Sequence, residues 1–282
     1  MEDAHCHEFP TKANANIGFV GVFDGHAGDA AAKYAASSVG TFIQNSESFR
    51  FVRNKMDPAI LARATMEGFF DCDEAMKQLP QFKVDKNPSG CTGVVSLLTK
   101  STIIVGNCGD SRCVLVRGDQ PIFATRDHKP SDEREKQRVE QAGGRVVYGR
   151  INGDLASARS FGDFRYKKDP SRAASLQQVT VQPDIIILDR EPSDQLLILA
   201  CDGIWDVMSN LECAHFILAA LRLGATLSLA ADLVLEECLR KSSGDNMSIL
   251  IVALDDAPEQ MGSIESGLTL DQVRDVMYDS VL

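Results

Sequence analysis

The sequence predicts an α+β fold built in layers, because its strand-forming runs come in antiparallel blocks and its helical stretches come in pairs rather than as alternating βαβ units. A chain of 282 residues with 44% hydrophobic residues can bury a layered core of that kind.

Taken in order, residues 17–24 form an apolar run that reads as a buried strand, and the alanine-rich stretch after His26 reads as a helix. ARATMEGFFDCDEAMKQL continues the helical pattern. From Ser89 the texture turns to short β-rich runs punctuated by glycine, CTGVVSLLT, STIIVGNCG, SRCVLVRG and QPIFAT, whose succession predicts an antiparallel meander. SDEREKQRVEQAGG predicts a helix with Ser131 as N-cap, acids in its first turn and a Gly-Gly stop. Residues 145–175 have no clear period and read as a long surface excursion, of a kind that often carries function. Strands return in VQPDIIILD and QLLILACD. Ser209 and Glu212 then make a capping box for CAHFILAALRL, followed by the helix LSLAADLVLEECLRK and the strand SILIVALD. Beyond Pro258, Leu270, Val273, Val276 and Met277 recur at helical spacing, so residues 256–282 read as a tail with an accessory helix after a catalytic domain spanning 1–255.

A formal net charge of −11 argues against nucleic acid or an acidic membrane surface as partner, since both demand a basic face. With no run of 18 apolar residues and no charged-then-apolar leader, the expected compartment is the cytosol, extending to the nucleus, and the expected state a monomer. The eight cysteines sit singly without a CxxC pair and read as buried free thiols. None has an arginine six positions on, and GxxxxGK[ST] is missing, so neither a cysteine nucleophile nor a P-loop handles phosphate here.

Two apolar runs stop at Asp-Gly: IGFVGVFDGHAG at Asp24-Gly25 and LLILACDGIWD at Asp202-Gly203. One reading is a pair of hairpin turns. The other is a shared metal site. Asp245 in a Gly-Asp-Asn turn, adjacent Glu2 and Asp3, and Asp110 of GNCGDSR add carboxylates that would repel one another unless a divalent cation sits among them. Oxygen-only ligands point to Mg²⁺ or Mn²⁺ rather than Zn²⁺. Two such ions roughly 3.5–4 Å apart lower the pKa of a bridging water and clamp a phosphoryl group. His26, beside a candidate ligand, suits the protonation of a leaving alcohol near neutral pH.

MED at the start, VFDGHAG, SGCTGVV, GNCGDSR, DHKP, LASARSFGD, ACDGIWDVMS and GDNMSILIV occur in an order that resembles the signature blocks of the metal-dependent Ser/Thr protein phosphatases of type 2C, over roughly residues 1–255. The resemblance implies a four-layer αββα sandwich of two antiparallel β-sheets flanked by helix pairs. It implies hydrolysis of phosphoserine and phosphothreonine in phosphoprotein substrates by water activated at a binuclear Mg²⁺ or Mn²⁺ centre. Asp24 would bridge the ions, Glu2 and the carbonyl of Gly25 would complete one of them, and Asp202 and Asp245 would hold the other. Asp3 would orient water, Thr92 would hydrogen-bond near it, Arg159 would serve positioning, and His26 would be the general acid. Asp110, Asp202 and Asp206 match a weaker third-metal site. The stretch after residue 145 corresponds to the family's flap, a contact region for the substrate protein.

Family members carry an arginine before the MED block on an N-terminal strand, where it holds the substrate phosphate; this sequence begins at Met1 of that block, so either it is a truncated form or phosphate is bound less well, with a raised KM and metal requirement expected. LASARSFGD departs from the more usual form while keeping Arg159 and Asp163, an effect expected to be confined to packing. The alternatives are a phosphoprotein-binding pseudophosphatase, against which the retained Asp24, Asp202, Asp245 and His26 speak, and a metal-dependent nucleotide phosphodiesterase, which the acidic balance disfavours.

Overall fold

A computed structural model describes residues 1–52, 56–83, 87–258 and 269–279. The chain divides into two compact units interleaved in sequence, Met1–Ser111 with Arg126–Asp189 and Arg112–Thr125 with Arg190–Leu282. Each unit is an antiparallel sheet with helices packed against it, which is the α+β class expected.

In the first unit the sheet order is β1 (Ala4–Glu8), β2 (Gly18–Phe23), β5 (Gly93–Leu98), β6 (Thr102–Cys108) and β12 (Asp184–Asp189). The central strands β2, β5 and β6 are buried along their whole length, so they read as continuous apolar runs without alternation. Helices α1 (Ala30–Asn45) and α3 (Pro58–Gln78) pack on each other and on this sheet, with the short α2 (Phe49–Val52) between them in sequence. The inner face of α1 is Ala31, Ala32, Ala35, Val39 and Ile43, at the three- and four-residue spacing of one helical stripe. Asp57 caps α3 by accepting from Ala59 N–H, and Pro58 follows where its missing N–H costs nothing. Gly68 sits where the helices cross: a Cβ there would lie 2.7 Å from the Ile43 backbone, so only glycine permits the approach.

A smaller three-stranded sheet joins β3 (Gly25–His26), β4 (Gly90–Cys91) and β11 (Phe161–Gly162), with β4 in the middle. Between α4 (Glu133–Gln141) and β12 runs the excursion seen in the sequence. It contains a hairpin of β9 (Val146–Val147) and β10 (Arg150–Ile151), and it has its own apolar cluster of Val139, Ile151, Leu155, Tyr166 and Val179.

In the second unit the sheet order is β14 (Ile249–Ala253), β13 (Asp194–Ala200), β7 (Arg112–Arg117) and β8 (Gln120–Ala124). After the one-turn α5 (Asp202–Trp205), α6 (Asn210–Arg222) and α7 (Leu227–Arg240) cover the sheet, with Ser209 and Thr226 capping the third residue's N–H in each. The predicted accessory helix exists as α8 (Leu270–Asp279), and Val273 is fully buried in this unit's core. The side chains of Val276 and Met277 lie outside the described residues.

Two expectations are corrected. The β-rich runs after Ser89 are not one meander: β5 and β6 belong to the first unit's sheet and β7 and β8 to the second's, because the chain changes sheets at Gly109–Ser111, a switch that leaves strand propensity unaltered. The helix α4 is capped by position Asp132 rather than Ser131, with no side-chain cap bond. Ala4–Glu8, for which no element is predicted from the sequence, form the strand β1, whose alternating exposure gives only a weak apolar signal. The helix expected in the alanine-rich stretch after His26 forms as α1, which starts four residues beyond the short strand β3 that His26 ends. Among the described residues no helix is long and apolar enough to cross a membrane.

Candidate functional site

Strand pairing sets the first group of candidate residues. Ala4 of β1 lies opposite Phe23 of β2, so Glu2 and Asp3, just before β1, fall beside Asp24 and Gly25, just after β2. Gly25 makes this possible: a Cβ there would stand 2.2 Å from the Glu2 carbonyl oxygen and 3.2 Å from Glu2 Cβ. Glu2 Oε1 accepts from the Gly28 N–H at 3.0 Å, which ties the acidic N-terminal residues to the DGHAG turn. Thr92 donates its backbone N–H to the Asp24 carbonyl at 2.9 Å and pairs its hydroxyl with Ser111 at 2.7 Å. Thr92 thus fixes the strand end that carries Asp24, and Ser111, which sequence reasoning passed over, fixes Thr92.

His26 is placed by the small sheet. It pairs with Gly90, and Gly90 pairs on its other side with Gly162, so residue 163 emerges beside the imidazole. His26 Nε2 lies 2.7 Å from Asp163 Oδ2, and the Asp163 side chain is fully buried while that of His26 is 29% exposed. A Cβ on Gly90 would fall 2.1 Å from Asp163 Oδ2 and 2.5 Å from His26 Nε2, so glycine keeps open the space in which the two meet. Burial opposes the charged imidazolium, but the hydrogen bond to Asp163 and its charge, with Asp110 and Glu2 farther off, hold the His26 pKa above the ordinary histidine value. Asp163 is therefore more than a packing residue, and the only sequence sign of it was its place in SFGD.

Two other expectations change. Asp110 is buried, and its carboxylate already has a cation, with Lys129 Nζ at 2.5 Å. The turn that carries it is locked by His128, whose Nδ1 accepts from Gly109 N–H at 3.1 Å and whose own N–H donates to the Gly109 carbonyl at 2.9 Å. With Nδ1 accepting, Nε2 carries the proton and lies 3.1 Å from Asp184 Oδ2. Arg159, expected to position substrate or water, is committed elsewhere. Its guanidinium donates to Glu135 through Nε and Nη2 and to Asp184 and the Gln182 carbonyl through Nη1, and both Arg159 and Glu135 are buried. The arginine ties α4 and the excursion to β12.

The second unit has its own Asp-Gly stop. Asp202, after β13, opens the one-turn α5 and is partly buried. Gly203 packs against the turn holding Asp245: a Cβ there would come within 2.1 Å of the Asn246 carbonyl. Ser243 donates to the Gly203 carbonyl at 2.7 Å, and Cys201 and Ser248 pair through backbone N–H and carbonyl at 3.1 Å. These contacts draw Asp202 and Asp245 to the same end of β13 and β14. Gly203 therefore does more than make a turn; like Gly25, it admits a second acidic segment. Asp206, at the C-cap of α5, is exposed.

Among the described residues, no three histidine, cysteine, aspartate or glutamate side chains form a cluster that could hold a metal ion. Each unit does bring an Asp-Gly strand end beside a segment that carries another carboxylate, Glu2 in the first and the exposed Asp245 next to Asn246 in the second, and oxygen donors of that kind would suit Mg²⁺ or Mn²⁺.

Residues 1–247 match the family Protein phosphatase 2C. The chain is 40% identical over 273 residues to protein phosphatase ppm-1.A of Caenorhabditis elegans, covering 92% of this chain and 57% of that protein. It is 37% identical over 265 residues to bovine protein phosphatase 1B, covering 92% of this chain and 55% of the relative. The chain thus spans just over half the length of these curated relatives. Its fold is shared with a solved phosphatase of Toxoplasma gondii, at a TM-score of 0.75 and 24% identity, covering 92% of this chain and 90% of the other.

Proposed function

The chain belongs to the protein phosphatase 2C family, and from that premise we propose that it hydrolyses phosphoserine and phosphothreonine in proteins, using water as nucleophile and forming no phosphoenzyme. The observation that carries this reading is the pair of Asp-Gly strand ends, each held by a glycine against a further acidic segment, with His26 adjoining one of them.

Glu2, Asp24, the Gly25 carbonyl, Asp202 and Asp245 are the proposed ligands of two Mg²⁺ or Mn²⁺ ions. When bound, such ions supply a water of lowered pKa and offset charge on the phosphoryl oxygens. The protein's own groups do the rest. Asp3 and Thr92 hold the water and the Asp24 strand end in register, and His26 gives a proton to the departing seryl or threonyl oxygen. A third ion at Asp110 would first have to displace Lys129, which makes two ions the better reading. The flap hairpin supports contact with a protein substrate: Tyr148 at its tip is 98% exposed, with Arg145 and Arg150 exposed on either side.

The test is release of phosphate from a phosphoserine peptide and from p-nitrophenyl phosphate with Mn²⁺, with and without EDTA. Metal-dependent release that collapses in Asp202→Ala is expected. No metal-dependent release, or an Asp202→Ala variant that behaves like the parent, overturns the reading.

A further inference from the structure

We propose that Asp163 is the positioning residue for His26, fixing the orientation of the imidazole and the ring nitrogen through which it acts. The inference rests on the phosphatase reading above and adds a residue that the reading did not contain.

Asp163 accepts at Oδ2 from two donors, His26 Nε2 at 2.7 Å and the Ser160 hydroxyl at 2.6 Å. A carboxylate so engaged is an acceptor, so Nε2 carries the bonded proton. Among the described residues Nδ1 has no hydrogen-bond partner, and it is the nitrogen left to meet the leaving group. As the P–O bond breaks, the proton on Nδ1 passes to the departing oxygen, the electron pair of that bond stays on the oxygen, and the neutral ring retains its proton on Nε2. Water then restores the Nδ1 proton.

The segment that presents Asp163 is held in a backbone conformation that would not persist without support. Gly162 and Asp163 both have positive φ, 71° and 50°, a region aspartate tolerates better than most residues. Asp73 accepts from Gly162 N–H at 2.8 Å, Lys167 donates to Asp73 and to the Ser160 carbonyl at 2.8 Å each, and Ser89 accepts from Asp163 N–H at 3.2 Å. Asp163 Oδ1 is buried without a hydrogen-bond partner among the described residues. Left-handed backbone and an orphaned buried oxygen both cost stability. A purely structural aspartate would not need both, whereas one committed to a single orientation beside His26 accounts for them.

The experiment compares Asp163→Asn and Asp163→Ala with His26→Gln on two substrates: a phosphoserine peptide, whose alkoxide needs a proton, and p-nitrophenyl phosphate, whose leaving group does not. On the peptide, kcat is expected to fall on the order of 100-fold in either Asp163 variant, with KM little changed and only a small loss on p-nitrophenyl phosphate. The Asp163→Asn/His26→Gln double variant is expected to be no slower on the peptide than His26→Gln alone, since the two residues act as one unit. In ¹⁵N spectra of the metal-free protein, the His26 Nε2–H signal is expected to lose its hydrogen-bonded shift in Asp163→Ala. Equal losses on both substrates, multiplicative losses in the double variant, or an unchanged His26 signal overturns the proposal. If the Asp163 variants do not fold, Ser160→Ala keeps the charge but loosens its seat, and a smaller loss confined to the peptide is expected; no such asymmetry is again a refutation. A parent with no metal-dependent activity would instead be a failure of the phosphatase reading.

Discussion

Replacing Arg159 by Ala separates an architectural residue from a catalytic one. In the folded protein its guanidinium spans Glu135, Asp184 and the Gln182 carbonyl at 2.5–3.1 Å, and both Arg159 and Glu135 are at most 3% exposed. Removing one partner of a buried ion pair costs about 3–5 kcal/mol, because the other charge stays in a poorly solvating interior. Here two partners soften the loss. Glu135 keeps its contact with Arg138, and Asp184 keeps His128 at 3.1 Å, which places the expected cost near the lower end, about 3 kcal/mol. For a unit of this size that is a fall in Tm of roughly 6–12 °C. Lysine cannot reproduce the fork and is expected to recover only part of it. The assay is a thermal melt by calorimetry, paired with kcat and KM measured well below the transition. The single tryptophan, Trp205, belongs to the second unit, so its fluorescence is a poor probe of this change. A variant that melts with the parent yet loses activity would refute the structural assignment and restore Arg159 to the substrate's side.

Further outcomes follow from the same geometry. The Nε2–H of His128 and the charge and hydrogen bonds of Arg159 hold Asp184 well below the usual carboxylate range, and Arg159 and Arg138 overcome burial to lower Glu135. Because the folded pKa values are depressed, the stability these groups contribute is present above their unfolded pKa values, about 4, and is lost as pH falls further. Urea midpoints measured from pH 7 down to pH 3 should therefore drop steeply at the acid end in the parent and less so in Asp184→Asn. Gly25→Ala and Gly203→Ala each drive a methyl into a carbonyl, at 2.2 Å from Glu2 and 2.1 Å from Asn246. Overpacking of that kind costs about 1–3 kcal/mol, and the stabilisation that Mn²⁺ confers on Tm should shrink in both variants; undiminished Mn²⁺ stabilisation in both would break the link between these glycines and the proposed ligands. Burial pushes the Cys6 and Cys108 thiols up to about 12 and Cys238 to about 11. The native protein should thus resist iodoacetamide at neutral pH, as followed by mass spectrometry, and rapid labelling of Cys108 would contradict the assignment.

The order of residues alone carries the α+β class, most element cores and the acidic and imidazole residues at the candidate site. These are local properties: an apolar run ending at Asp-Gly marks a strand end wherever it lies, and Ser209 three residues before Glu212 marks a helix start, where the structure indeed has Ser209 accepting the Glu212 N–H. Only one half of that box formed, because the Glu212 carboxylate is taken by Lys241. Tertiary structure decided whatever depends on which distant residues become neighbours. The chain's change of sheet at Gly109–Ser111 leaves no mark on strand propensity. Arg159 resembles a substrate-binding arginine until Glu135 and Asp184, 24 and 25 positions away, fold onto it. Asp163 lies 137 positions from His26 and meets it only because Gly90 pairs with both flanking strands and has no side chain to fill the gap. In the same way, the two Asp-Gly stops look identical as strings, and only packing reveals that one glycine admits Glu2 and the other the Asn246 turn. A residue's type and spacing fix what it can do chemically, but the partner that commits it to one task is chosen by the fold.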